Sequence, residues 1–299
     1  MQKKIEKNAL IVSFIMNFII AASGIFVYLL TGLQALFLDG IFSLIAFISN
    51  ILATVISKVS RRKTKSYPNG LHFLEPFYAI LKSLFILLLL GTSLAETSKT
   101  AYNYFFYGTG EIMNIGPVLP YSIAMVILCF GLGLFNKYQN KRINNTSTIL
   151  TAESKGNFVD GIQTLGIGIA AVLLYFIDIN GSLGFLWYTG DFFITAVLVI
   201  ISIKEPITVL INSFREISKG ITADKDILSF INGKVEEIVH PITKDICCEI
   251  VKVGMYIDIK IYLNENITQD MYSELMKAKE NIYSEVSQKY ENINIIYAF

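Results

Sequence analysis

Apolar residues fill the first two thirds of the chain in long runs parted by short polar breaks. Six runs cover residues 9–30, 33–57, 74–95, 117–136, 150–177 and 183–203. Each is close to the roughly 20 residues a helix needs to cross a bilayer core. None alternates strictly, so helices are expected rather than the strands of a membrane barrel. The breaks carry the orientation. Lys3, Lys4 and Lys7 precede the first run; Lys58, Arg61, Arg62, Lys63 and Lys65 follow the second; Lys137, Lys141 and Arg142 follow the fourth. The other breaks hold Lys99 alone. Cytoplasmic loops carry the excess of Lys and Arg, so both termini of a multi-pass protein of the cell membrane are expected in the cytoplasm.

The pattern changes near residue 204. Residues 205–222 predict an amphipathic helix leaving the membrane, and 223–299 a small soluble domain. Asp224–Val239 suits a helix, with Gly233 its weak spot, and Ile246–Val253 suits a strand. From Met255 to Leu263 apolar and polar residues alternate, with Gly254 at a hairpin turn. Thr268 is placed to cap a helix that shows Met271, Leu275, Ala278, Ile282 and Val286 on one face. Ile293, Ile295, Tyr297 and Phe299 alternate as a last strand. The order α-β-β-α-β suits a ferredoxin-like sheet with helices on one face. The expected fold is therefore an α-helical membrane protein of six transmembrane helices (1–205), a connecting helix (206–222) and a C-terminal α+β cytoplasmic domain (223–299).

Composition agrees. Of 299 residues 53% are hydrophobic and 16% charged, against about 25% charged in an average soluble domain. A net charge of +1 gives no basic surface for nucleic acid. Three cysteines, Cys129 and the adjacent Cys247 and Cys248, do not make a disulfide framework. The apolar start lacks a small-residue cleavage site, so no removable leader is expected. No GxSxG, HExxH or P-loop motif is present, so neither an enzyme nor an organic cofactor is expected.

Charged residues inside apolar runs then stand out. Asp39 lies about six residues into the second run, roughly 9 Å from its outer end at about 1.5 Å per residue. Asp160 lies near the middle of the fifth. A charge at the bilayer centre costs about 2.5–3.5 kcal/mol on insertion scales. Ser43, Ala46 and Asn50 follow Asp39 on one helical face, and Glu153, Asn157, Asp160 and Thr164 share another. Two such stripes facing each other would form an oxygen-lined path suited to divalent cations. The bland reading of the hydroxyl and amide side chains is interhelical hydrogen bonding. Lys82 in the third run either snorkels to the cytoplasm or pairs with Asp160 or Glu75. Asp191 reads as an interfacial cap. Gly161, Gly166 and Gly168 would allow close helix packing.

The strings LFLDGIFSL, YPNGLHFLEPF, ESKGNFVDG and GDFFITAVLVIISIKEPITVLINSFREI, in this order, resemble the cation diffusion facilitator family over nearly the whole chain. The resemblance implies export of divalent metal ions against protons by a homodimer. It also implies ligand pairs in spans 2 and 5. Carried over, the span 2 pair falls on Phe42 and Ala46, the first span 5 position on Gly156, and only Asp160 matches; the loop histidines fall on Tyr67 and Leu71. The remaining metal ligands are hard: Asp39, Ser43, Asn157 and Asp160. They favour manganese, iron or magnesium over zinc. Glu75, Lys82 and Glu153 are assigned to the inner mouth and gating, and His240, Cys247 and Cys248 to a soft cytoplasmic site. The expected function is proton-coupled secondary-active efflux of a divalent cation. The alternative is a non-transporting, regulatory partner subunit with a degenerate metal site.

Overall fold

The computed structural model describes residues 2–60, 62–142, 148–263, 268–290 and 292–298; Arg61 and Phe299 lie outside the described residues, as do the side chains of Ala46 and Asn50. The helices are α1 (Gln2–Thr31), α2 (Gln34–Ser60), α3 (Leu74–Tyr107), α4 (Val118–Arg142), α5 (Thr148–Tyr175), α6 (Leu186–Ser202) and α7 (Lys204–Ile217). They are followed by α8 (Lys225–Val239), β1 (Ile246–Val253), β2 (Tyr256–Leu263), α9 (Gln269–Ser287) and β3 (Asn292–Ala298).

Among the described residues five helical stretches are long and apolar enough to cross a membrane: Asn8–Thr31, Leu74–Tyr107, Val118–Arg142, Gly156–Tyr175 and Leu186–Ile217. On α2 the described apolar stretch is Gln34–Ile45. The burial pattern is inverted relative to a soluble protein. Phe18, Leu29, Leu88, Ile127, Ile162 and Ile200 are exposed, whereas Asn17, Asp39, Asn136, Asn157 and Thr164 are buried. Lipid tails solvate the exposed apolar faces, so close packing and hydrogen bonds hold the helices together. The protein is a helical membrane protein with a small C-terminal sheet.

Helix α3 runs past the expected end of its apolar run at residue 95. Hydropathy marks only the part in oil; the helix itself stops at Gly108, whose φ of +64° is the left-handed cap that glycine adopts freely.

The chain divides into two compact units, Met1–Leu52 with Ile86–Lys204, and Ala53–Phe85 with Glu205–Phe299. In the first unit small residues bring helices together. A Cβ on Gly24 of α1 would lie 2.7 Å from the Cα of Gly40 on α2, and one on Gly168 of α5 would lie 2.8 Å from Ser122 Cβ on α4. Gly161 packs on Cys129 and Phe130 of α4. A Cβ on Gly166 would meet nothing within 4 Å, because this residue points away from the face that Gly161 and Gly168 share. The core of this unit gathers Ile20, Leu36, Tyr121, Met125, Ile167 and Leu174.

In the second unit β1 and β2 pair antiparallel across a two-residue turn, and β2 pairs parallel with β3 through α9. Every second residue of β2 (Ile257, Ile259, Ile261, Leu263) is buried, as its alternation predicts. These side chains pack on Ile231 and Val235 of α8 and on Leu275, Ile282 and Val286 of α9. Each is worth about 1.5–3 kcal/mol on full burial. Asp224 caps α8 by accepting from the Asp226 and Ile227 amides, and the Thr268 hydroxyl accepts from the Met271 amide at the start of α9. Gly254, with φ +58°, makes the β1–β2 turn. It packs so close to the His72 carbonyl and the Glu75 carboxylate that a Cβ there would lie 2.7 and 2.8 Å from them. The His72 ring stacks on Tyr256 at 5.5 Å between centroids.

Candidate functional site

Asp39 sits in the first turns of α2, where the Gly24–Gly40 contact draws α1 against it. The residue is only 6% exposed. Its carboxylate accepts from the Tyr121 hydroxyl of α4 at 2.7 Å and from the Thr164 hydroxyl of α5 at 3.2 and 3.3 Å. Thr164 Oγ1 also lies 3.0 Å from the Asp160 carbonyl, one turn earlier on α5. Thr164 therefore joins the two helices that carry the intramembrane acids. Tyr121 also lines an open groove of about 520 Å³ with Ser23, Phe26 and Pro117.

The other residues predicted for the path fall on the same faces. Ser43, one turn beyond Asp39, and Asn157 are buried, and Asp160 is half-buried. Asn157 Nδ2 donates to the Glu153 carbonyl at 2.8 Å, and the Glu153 carboxylate accepts from Asn17 of α1 at 3.2 Å. Phe42, to which the family resemblance assigns a ligand position, packs instead with Leu38, Leu90 and Val199. The residue that α2 turns toward α5 is Asp39. Gly156 is exposed, and a Cβ there would meet nothing within 4 Å.

Lys82 is half-buried on α3, and the Glu205 carboxylate at the start of α7 lies within electrostatic range of it. Glu75, at the start of α3, accepts from the Ser60 hydroxyl at 2.7 Å. Asp191 does act as a cap: its carboxylate accepts from the amides of Gln34 and Ala35 at 2.8 and 3.2 Å, so α6 closes the N-terminus of α2.

The residues assigned to a soft cytoplasmic site do not converge. Among the described residues no three His, Cys, Asp or Glu side chains form a group that could hold a metal ion. Cys247 and Cys248 are consecutive on β1 and so point to opposite faces; Cys247 is exposed and Cys248 half-buried. Burial pushes the Cys248 thiol up to about 12, which keeps it protonated and a poor ligand. His240 is exposed at the end of α8.

Sequence reasoning misses Tyr121, Cys129, Asn17 and Asn136. Cys129 lies within electrostatic range of both Asp160 and Asp39. Asn17 and Asn136 are legible by the reasoning that finds Asp39, since each is a polar side chain inside an apolar run.

No curated protein matches the chain. Residues 10–218 match the cation efflux transmembrane domain. That stretch contains Asp39, its partners Tyr121 and Thr164, and Asp160, and it covers more than half of the chain. The chain thus belongs to the cation efflux family, the cation diffusion facilitators, and is a multi-pass membrane transporter of cations.

Proposed function

We propose that the protein is a secondary-active exporter of a divalent metal cation, coupled to protons, in which Asp39 and Asp160 hold the cation. The observation that carries this reading is the buried Asp39 carboxylate, which accepts from Tyr121 of α4 and from Thr164 of α5, one turn beyond Asp160. Two carboxylates match the charge of a divalent ion in a medium that penalises any unbalanced charge. Their oxygen partners are hard, as are the supporting Ser43 and Asn157, which favours manganese, iron(II) or magnesium over zinc.

The hydroxyls of Tyr121 and Thr164 suit a site that fills and empties. Each donates to the carboxylate when no cation is there, and each can turn a lone pair toward one that arrives. A proton and a cation compete for the same carboxylate oxygens, so protonation from the outer side releases the cargo. In this reading six spans place both termini in the cytoplasm of the cell membrane. Glu75, Lys82 and Glu153 serve access and gating, and the C-terminal domain, of ferredoxin-like kind and bounded at about residue 223, pairs two copies.

The test is divalent uptake into proteoliposomes of purified protein, with manganese, iron(II), magnesium and zinc across an imposed pH gradient. Asp39→Asn and Asp160→Asn are expected to abolish the flux while inserting normally. Flux unchanged by both substitutions rejects the reading. Absence of any flux in the wild-type protein favours the regulatory-subunit reading, to which exposed Gly156 at a family ligand position lends support.

A further inference from the structure

A cavity of about 340 Å³ lies within the second unit, whereas Asp39 and Asp160 belong to the first. One wall is the loop between α2 and α3, which carries Tyr67 and Phe73. The other is the sheet face turned away from α8 and α9, with Val253 on β1 and Tyr256 and Asp258 on β2. Lys219, just past the end of α7, completes the lining. Backbone hydrogen bonds hold the loop in place: Thr64 and Tyr67 exchange two at 3.1 Å, and the Leu71 amide donates to the Ser60 carbonyl at 2.7 Å. The Tyr67 and Phe73 ring centroids lie 5.4 Å apart, and Tyr67 is still 47% exposed. Ligand pockets hold about 300–1,000 Å³, so this one has room for a single aromatic molecule of modest size.

Lys219 has an uncommon backbone. Its φ is +56°, in the left-handed region that glycine adopts freely. The Lys219 amide donates to the Glu216 carbonyl at 3.1 Å and the Gly220 amide to the Arg215 carbonyl at 2.9 Å, a Schellman cap whose left-handed residue is usually glycine. Here the glycine stands one residue later and a lysine bears the strain, which points to a use for its side chain. The register places that side chain near one end of the cavity. Ile221, two residues on, bridges to Val251, and Val251 lies opposite Asp258. Asn294 donates to Asp258 Oδ1 at 2.8 Å and steadies that carboxylate. Among the described residues neither Lys219 nor Asp258 enters an ion pair. The cavity thus has a polar end with one cation and one anion that are not joined to each other. Its aromatic end begins at Tyr256, about 7 Å from Asp258 on the same strand face.

We propose that this cavity binds an aromatic α-amino acid. The charges decide the class. An α-amino acid carries its carboxylate and its ammonium on one carbon, so it accepts from Lys219 and donates to Asp258 at once, and both bonds are charge-assisted. An acid alone leaves Asp258 without a partner, and an amine alone leaves Lys219 without one. The ring lies beside Tyr256, Tyr67 and Phe73, where offset and edge-on aromatic contacts are favourable. This assignment goes beyond the one made for Asp39 and Asp160 and does not rest on it.

The experiment is thermal unfolding of the full chain in detergent, at fixed pH and ionic strength, titrated with L-phenylalanine, L-tyrosine and L-tryptophan. The comparators are 3-phenylpropionate, which lacks the ammonium, 2-phenylethylamine, which lacks the carboxylate, and L-leucine, which lacks the ring. The melting temperature is expected to rise saturably with at least one aromatic amino acid, and each comparator to bind about tenfold more weakly or worse. Lys219→Gly suits the left-handed backbone, so this variant is expected to fold at least as stably and to lose the response. Asp258→Asn keeps the side-chain shape and is expected to weaken the amino acids without weakening 3-phenylpropionate. No response to any of the three aromatic amino acids overturns the proposal, as does an equal response to any comparator or one that survives Lys219→Gly. Failure of the Asp39–Asp160 reading shows only in the divalent flux and leaves this response untouched.

Discussion

The Tyr121 hydroxyl donates to the Asp39 carboxylate across the α2–α4 interface at 2.7 Å. A charge-assisted bond in oil has few competitors, yet interhelical hydrogen bonds in membranes average only about 0.6 kcal/mol, with a ceiling near 1.7. A double-mutant cycle of Tyr121→Phe and Asp39→Asn is expected to give a coupling near that ceiling, read from unfolding in detergent. Strictly additive effects are the contrary result.

Glycines give a paired prediction. Gly24→Ala inserts a methyl group 2.7 Å from Gly40 Cα and 2.9 Å from the Tyr121 hydroxyl. Overpacking of this kind costs about 1–3 kcal/mol, and here it also pushes at the Tyr121–Asp39 bond. Gly91→Ala on α3 meets nothing within 4 Å and is expected to stabilise by about 1 kcal/mol through helix propensity. Opposite shifts in melting temperature check both.

Removing the Asp191 carboxylate leaves two amides at the start of α2 without their acceptor. Asp191→Ala is expected to cost about 0.5–2 kcal/mol, the usual range for a lost N-cap, and Asp191→Asn less, because an amide oxygen still accepts. Thermal unfolding measures the cost. Metal flux in the folded fraction is expected to persist, which separates a structural carboxylate from a ligand.

Thiol chemistry separates the two adjacent cysteines of β1. Exposed Cys247 is expected to react with a maleimide first at neutral pH, and Cys248 only after unfolding, since the thiolate is the nucleophile. Burial raises the Cys248 thiol from 9.0 to about 12. A raised folded value means that this contribution to stability is complete below about pH 9 and is lost as pH climbs toward 12. Mass spectrometry of labelled peptides reads the order of reaction.

The C-terminal sheet and its helices were legible because their signals are local. Alternation in Met255–Leu263 placed the buried face of β2, and Thr268 announced the start of α9. Asp39 and Asp160 were legible because acids in apolar runs are costly. Their surroundings were less so. Phe42 is three residues from Asp39, which on a helix is only about 60° away, so a motif shifted by nearly one turn still fits the pattern. In the structure Phe42 packs against Leu90 and Val199, whereas Asp39 reaches Tyr121 and Thr164. A tyrosine near the end of an apolar run resembles the aromatic belt of a membrane interface, which hid the role of Tyr121. The failure of His240, Cys247 and Cys248 to converge follows from strand geometry, since neighbours on a strand face opposite ways.

The Asp191 cap has a mechanical consequence. Because α6 supplies the acceptor for the first amides of α2, these two helices are tied at that end. On its other side α2 is fastened to α4 and α5 through the oxygens of Asp39. Under the proposed function, a cation that claims those oxygens unfastens one side of α2 and leaves the other tied, which would make the same carboxylate both seat and latch.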